Sequence, residues 1–131
     1  MAVQIPVVAL YAPLNALFNI FLANRVSSGR VKSKIGVGVG QDKDLELRVR
    51  MHGNNAEFVP LALLMLLIAE LAGGAAMWLH ILGGTLLLAR LFHAFGLPRP
   101  APNFFRFTGT AATWLIIVGT SVWTLVLRFK S

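Results

Sequence analysis

Four apolar stretches, at residues 3–23, 47–72, 75–97 and 104–127, fill most of the chain. A bilayer-spanning helix needs roughly 20 consecutive apolar residues, and each stretch is that long. The chain is 56% hydrophobic and 13% charged, with a mean hydropathy of +0.72. A soluble domain carries about 25% charged residues. A chain of 131 residues cannot hide that shortage in a core, because a short chain leaves too much surface exposed. Lipid is the natural solvent for such a sequence. In lipid, backbone groups must be satisfied within the segment, which favours helices. The expected fold is all-α: one integral membrane domain over residues 1–131, an antiparallel up-down-up-down four-helix bundle without internal repeats.

The net charge is +7, with 12 Lys and Arg against 5 Asp and Glu. In a soluble chain this excess would suggest nucleic acid; here it follows topology, and no nucleic-acid partner is expected. Arg25, Arg30, Lys32, Lys34, Lys43, Arg48 and Arg50 lie between the first two stretches or just inside the second. Arg90, Arg99 and Arg106 surround the third connection, while Arg128 and Lys130 fall on the opposite side. The positive-inside rule then places both basic connections in the cytoplasm and both termini outside. Trp78 and Trp123 lie near the outer face, as interfacial anchors do. The beginning of the chain has no basic n-region, so the first stretch is expected to stay as an anchor. The sequence has no cysteine, so any thiol chemistry must arrive with a substrate.

Glycine and proline punctuate the spans. Residues 26–41 read as a Ser, Gly and basic loop, whose Gly36, Gly38 and Gly40 do not complete a GxGxxG pattern. Asp42, Asp44 and Glu46 stand in or near the first turn of the second helix, where the macrodipole favours acids. Gly73-Gly74 gives a short turn, so helices two and three should pack antiparallel. Pro98, Pro100 and Pro102, within residues 97–103, stop helix three and restart helix four. Pro13 and Pro60 fall inside spans. Pro60 leaves the Ala56 carbonyl free beside Glu57, which is either a tolerated kink or the opening of a polar pocket.

Charges in a span are costly and mark a functional site by default. Arg50, Asn54 and Glu57 lie at i, i+4 and i+7 and form one helix stripe. That stripe must face a bundle interior, a cavity or another subunit. Arg50 and Glu57 either neutralise each other or, with Asn54, serve a zwitterionic ligand carrying carboxylates and an ammonium group. His52 and Asn55 point elsewhere on the same turn. Arg90 and His93 sit near the cytoplasmic end of helix three, where Arg90 either snorkels to the surface or joins a site. His80 reads as interfacial. The scattered histidines lack metal-ligand spacing, and no metal is expected. Thr110, Thr113, Thr120 and Thr124 read as small polar packing residues, and Asn15 and Asn19 as interhelical hydrogen-bonding groups. Asn24 and Arg25 are read as the cytoplasmic end of helix one. Topology puts Arg25, Arg50, Asn54, Glu57, His93 and Arg106 in one leaflet.

These residues carry a resemblance. Arg50-x-His52-x-Asn54-x-x-Glu57-Phe58-x-Pro60 resembles the second-helix signature of the MAPEG superfamily, membrane-associated proteins in eicosanoid and glutathione metabolism. Ala89-Arg90-Leu91-x-His93-x-x-Gly96 resembles its third-helix segment. Arg106 stands where the family has an arginine opening helix four, and Asn24-Arg25 matches the basic end of helix one. The His-Gly-Asn start of the signature is similar to the bacterial inner-membrane branch. The resemblance implies a homotrimer in a bacterial inner membrane, with glutathione as co-substrate bound between subunits near the cytoplasmic face. It implies that Arg50, His52, Asn54, Glu57, Phe58, Arg90 and His93 contact glutathione, with Glu57 on the α-amino group and arginines on the carboxylates. Arg25 would come from a neighbouring subunit. Arg106 would be catalytic, favouring the thiolate. Lipophilic electrophiles or lipid hydroperoxides would enter from membrane lipid. The eicosanoid-synthesising members have tyrosines where this chain has Phe58, His93 and Leu97, so a leukotriene-synthase specificity is not implied. His93 is an alternative donor in place of a lost hydroxyl.

Two other functions fit parts of the pattern. The absent tyrosines suit a non-catalytic lipid- or ligand-binding scaffold of the same family. Size and topology suit a small multidrug transporter, but such exporters resemble chains with a membrane-embedded acid in helix one, and this helix one has none.

Overall fold

The punctuation yields four helices: α1 (Val8–Ser33), α2 (Lys43–Leu71), α3 (Ala76–Gly96) and α4 (Phe104–Lys130). The computed structural model describes residues 4–130. Val3, the expected start of the first stretch, and both ends of the expected 1–131 domain lie outside the described residues. The bounds of α2, α3 and α4 follow the expected stretches closely. Asp42 opens α2 by accepting the Leu45 N–H at 3.0 Å, with Asp44 and Glu46 in the first turn. Asn103 opens α4, accepting the Arg106 N–H at 2.9 Å and donating to the Gly96 carbonyl at 3.0 Å. One amide thus stops the orphan groups of two helix ends.

One expectation for the first helix needs correction. α1 does not end at Asn24 and Arg25; it continues to Ser33, and the loop shortens to residues 34–42. Ser27, Ser28 and Gly29 are poor helix formers, but packing overrides propensity here. Gly29 is buried, and a methyl placed there would come within 3.1 Å of Arg48 Cδ. Arg48 also donates to the Arg25 carbonyl at 3.0 Å and pairs with Asp44 at 2.8 Å. The helix stops where Lys34 turns left-handed, at φ 58°. Among the described residues, three helices are long and apolar enough to cross a membrane: α2, α3 and α4. Asn15, Asn19 and Asn24 dilute the apolar run of α1.

Side-chain pairs fix the topology. α1 runs antiparallel to α2, with Val8 beside Glu70, Asn19 beside Asn55 and Gly29 beside Arg48. α3 runs antiparallel to α4, with Gly96 beside Arg106 and Gly109 beside Ala89 and His93. α2 continues unbroken through Pro60. Two apolar clusters hold the bundle. One contains Val7, Val8, Ala62, Leu66, Ala69, Leu79, Leu86 and Ile116. The other, toward the opposite end, contains Leu22, Met51 and Leu97. Large apolar side chains on every helix stay exposed, including Leu17, Ile20, Leu64, Leu88, Leu115 and Val122. This is the inside-polar, outside-apolar order that lipid solvation permits.

The acid at the end of α2 has a role that sequence reading missed. Glu70 accepts the N–H groups of Val7 and Val8, both at 2.8 Å. α1 has no side-chain cap of its own. The carboxylate supplies it, near the positive end of the α1 dipole.

Candidate functional site

Between the two apolar clusters lies a polar layer drawn from all four helices. Its centre is Arg90, only 1% exposed. Its Nη2 donates to Asn54 Oδ1 at 2.6 Å and lies 3.3 Å from His93 Nδ1. Its Nε donates to Asn55 Oδ1 at 3.1 Å, and Nη1 to Thr113 Oγ1 at 3.3 Å. Asn55 Nδ2 in turn donates to Asn19 Oδ1 on α1 at 3.0 Å. Thr113 donates its own hydroxyl proton to the Gly109 carbonyl at 2.7 Å, which leaves its lone pairs for Arg90.

This arrangement bears on the placement of Arg90. It does not snorkel, and it does not line the neighbouring cavity; it is satisfied inside the bundle. Its partners are amides, a hydroxyl and an imidazole, with no carboxylate among them. A lone arginine at mid-span costs roughly 2.5–3.5 kcal/mol on insertion scales. A buried charge is tolerated when its hydrogen bonds are made. α4 can approach closely enough because Gly109 has no side chain: a methyl there would meet the Ala89 carbonyl oxygen at 2.6 Å.

Beside this layer opens a cavity of about 530 Å³, lined by Glu46, Leu47, Val49, Arg50, Gly53, Asn54, Glu57, His93, Leu97 and Arg106. Its size falls within the roughly 300–1,000 Å³ typical of small-molecule pockets. The stripe read from the sequence, Arg50, Asn54 and Glu57, therefore shares one cavity with His93 and Arg106. Arg50 and Glu57 do not neutralise each other; neither has an ion-pair partner among the described residues. The wall thus offers the cations of Arg50 and Arg106, the carboxylates of Glu46 and Glu57, and the Asn54 amide, from α2, α3 and the start of α4.

Other expected residues lie elsewhere in the single chain. Arg25 lines a second, largely apolar cavity with Phe18, Phe21, Leu91, Phe95 and Arg99, and its Nη1 lies 3.8 Å from Met51 Sδ. His52 is half-buried and lines neither cavity. Phe58 packs its ring against Trp114 on α4, with centroids 6.1 Å apart. His80 is exposed and meets the Tyr11 hydroxyl at 3.3 Å. Asn19 is an interhelical group as expected. Asn15 is not: its Nδ2 bonds back to the Tyr11 carbonyl, and its buried Oδ1 has no partner. Asn55 and Thr113 belong to the polar layer, whereas the sequence reading only turns Asn55 away from the stripe and gives Thr113 a packing role. The available signal was spacing: Asn55 follows Asn54, so only one can face the cavity and the other must face a neighbouring helix.

Fold and site together define an α-helical membrane bundle with a charged cavity toward one end. The model of the MAPEG family matches residues 8–126, and the chain belongs to that family. It is 34% identical over 118 residues to the inner membrane protein YecN of Escherichia coli K12, covering 88% of this chain and 89% of that protein. The inner membrane protein YecN of Escherichia coli O6:H1 matches to the same extent.

Proposed function

We propose that the chain is a membrane-embedded glutathione transferase or peroxidase. The supporting observation is the cavity in which Arg50, Asn54, Glu57, His93 and Arg106 converge. Glutathione carries carboxylates, an ammonium group and a thiol. Glu57 offers an anion to the ammonium group, and Arg50 offers donors in the planar fork that suits a carboxylate. Arg106 places a cation at the cavity wall, and a cation beside a thiol favours its thiolate. The thiol proton leaves to solvent. The thiolate then forms a C–S bond to a lipophilic electrophile, either displacing its leaving group as an anion or adding to an activated double bond whose carbanion takes a proton from water. With a hydroperoxide, it attacks the peroxide oxygen and releases the alcohol; a second glutathione converts the resulting sulfenic acid to disulfide and water.

The site is completed in a homotrimer, in this reading. Arg25, which the single chain leaves outside the cavity, reaches it from the neighbouring subunit. The membrane is a bacterial inner membrane, as the name of the YecN relatives suggests, with the basic connections cytoplasmic and the termini outside. Turnover of a lipophilic electrophile with glutathione by purified protein tests the proposal. Activity above the uncatalysed rate, abolished in Glu57→Gln, is expected. A second reading, a non-catalytic ligand-binding scaffold, draws on Leu97 in the cavity and Phe58 against Trp114, neither of which offers a hydroxyl. Saturable glutathione binding without turnover of any electrophile or hydroperoxide would favour it.

A further inference from the structure

Arg90 touches the cavity only through the residues it holds. A guanidinium donates and never accepts. The oxygen of Asn54, not its nitrogen, must therefore face Arg90, and the distance of 2.6 Å fits that donation. The same logic fixes the His93 ring. Nδ1, 3.3 Å from Nη2, must present its lone pair, so the ring proton sits on Nε2. Both residues line the cavity. Asn54 is left with its amide N–H groups, and His93 with Nε2–H, to meet whatever enters.

We infer that Arg90 is a positioning residue that sets the hydrogen-bonding polarity of this cavity. It engages the Asn54 oxygen and occupies the one ring lone pair of His93, which leaves the Asn54 amide N–H groups and His93 Nε2–H as donors. That wall then receives an acceptor or anion, and the carboxylates of Glu57 and Glu46 remain the cavity's acceptors for a cation. Asn55 and Thr113 hold the guanidinium from the far side, and Asn19 holds Asn55. Every helix thus contributes to the orientation of two cavity groups. The identity of the anion rests on the glutathione reading: beside Arg106, the His93 donor serves the thiolate sulfur. The polarity itself does not rest on that reading.

The test is the tautomer of His93, read by nitrogen-15 spectra of histidine-labelled protein in detergent. Signals are assigned by their loss in His93→Gln. Wild type is expected to show the Nε2–H tautomer. Arg90→Gln, if folded, is expected to show a tautomer mixture and about tenfold weaker glutathione binding, the loss of a hydrogen bond to a charged group. His93→Gln, which can keep a donor at similar reach, is expected to retain more thiolate than His93→Met. An Nδ1–H tautomer or an imidazolium in wild type overturns the inference without any variant. An unchanged tautomer in folded Arg90→Gln overturns it as well. Absence of glutathione binding in wild type counts against the proposed function, while the tautomer remains readable.

Discussion

At the scale of single residues, the chain spends its polar groups in two ways. Arg90, Asn55, Thr113 and Asn19 satisfy one another inside the bundle. Arg50, Glu57 and Arg106 keep their charges for the cavity. The two sets respond differently to mutation. Thr113→Val removes an acceptor from a buried guanidinium and should cost about 1–3 kcal/mol; a lowered thermal midpoint in detergent, with the oligomer otherwise intact, is the expected reading. Glu57→Gln should leave that midpoint nearly unchanged and weaken glutathione binding about tenfold or more by titration calorimetry. Equal binding in wild type and Glu57→Gln would remove Glu57 from the site. The cavity stripe was legible because Arg50, Asn54 and Glu57 repeat at helical spacing on an otherwise apolar helix. The buried set was not, because threonine and asparagine in a span read equally well as packing groups. Only the arrival of Arg90 from another helix gives Asn55 and Thr113 a function.

At the scale of elements, close approach decides what the helices can share. Gly109 lets α4 lie against Ala89 and His93, the position from which Thr113 reaches Arg90. Gly109→Ala forces a methyl toward backbone atoms and should destabilise the bundle by about 1–3 kcal/mol, with loss of glutathione binding as α4 moves away. An unchanged midpoint and unchanged binding would show that α3 and α4 separate freely. At the other end, Glu70 joins α1 to α2 through the Val7 and Val8 N–H groups. Glu70→Ala removes a helix cap and should cost about 0.5–2 kcal/mol, measured as earlier proteolysis near the start of α1. The bounds of α2, α3 and α4 were legible from Asp42, Gly73-Gly74 and the proline cluster, which act locally. The length of α1 was not. Its last turns exist because Gly29 meets Leu45 and Arg48 across the helix pair, and no local signal records a contact with residues so distant in sequence.

At the scale of the whole molecule, the charge asymmetry predicts an orientation and the cavity carries the proposed function. The natural chain has no cysteine, so a single Gly36→Cys in the exposed loop after α1 gives an unambiguous label. A membrane-impermeant maleimide should modify it in inside-out vesicles and not in right-side-out ones; the reverse pattern would invert the topology. Under the proposed function, native mass spectrometry should find a trimer, in which Arg25 reaches the cavity from a neighbour. The most direct measurement is a near-ultraviolet difference spectrum of the purified protein with glutathione, wild type beside Arg106→Ala and Glu57→Gln. A saturable thiolate band in wild type is expected, with its loss in Arg106→Ala despite residual binding, and its loss in Glu57→Gln through weakened binding. A folded wild-type protein with no thiolate band at saturating glutathione, or a band of equal yield in Arg106→Ala, would contradict a cavity that binds glutathione and activates its thiol through Arg106.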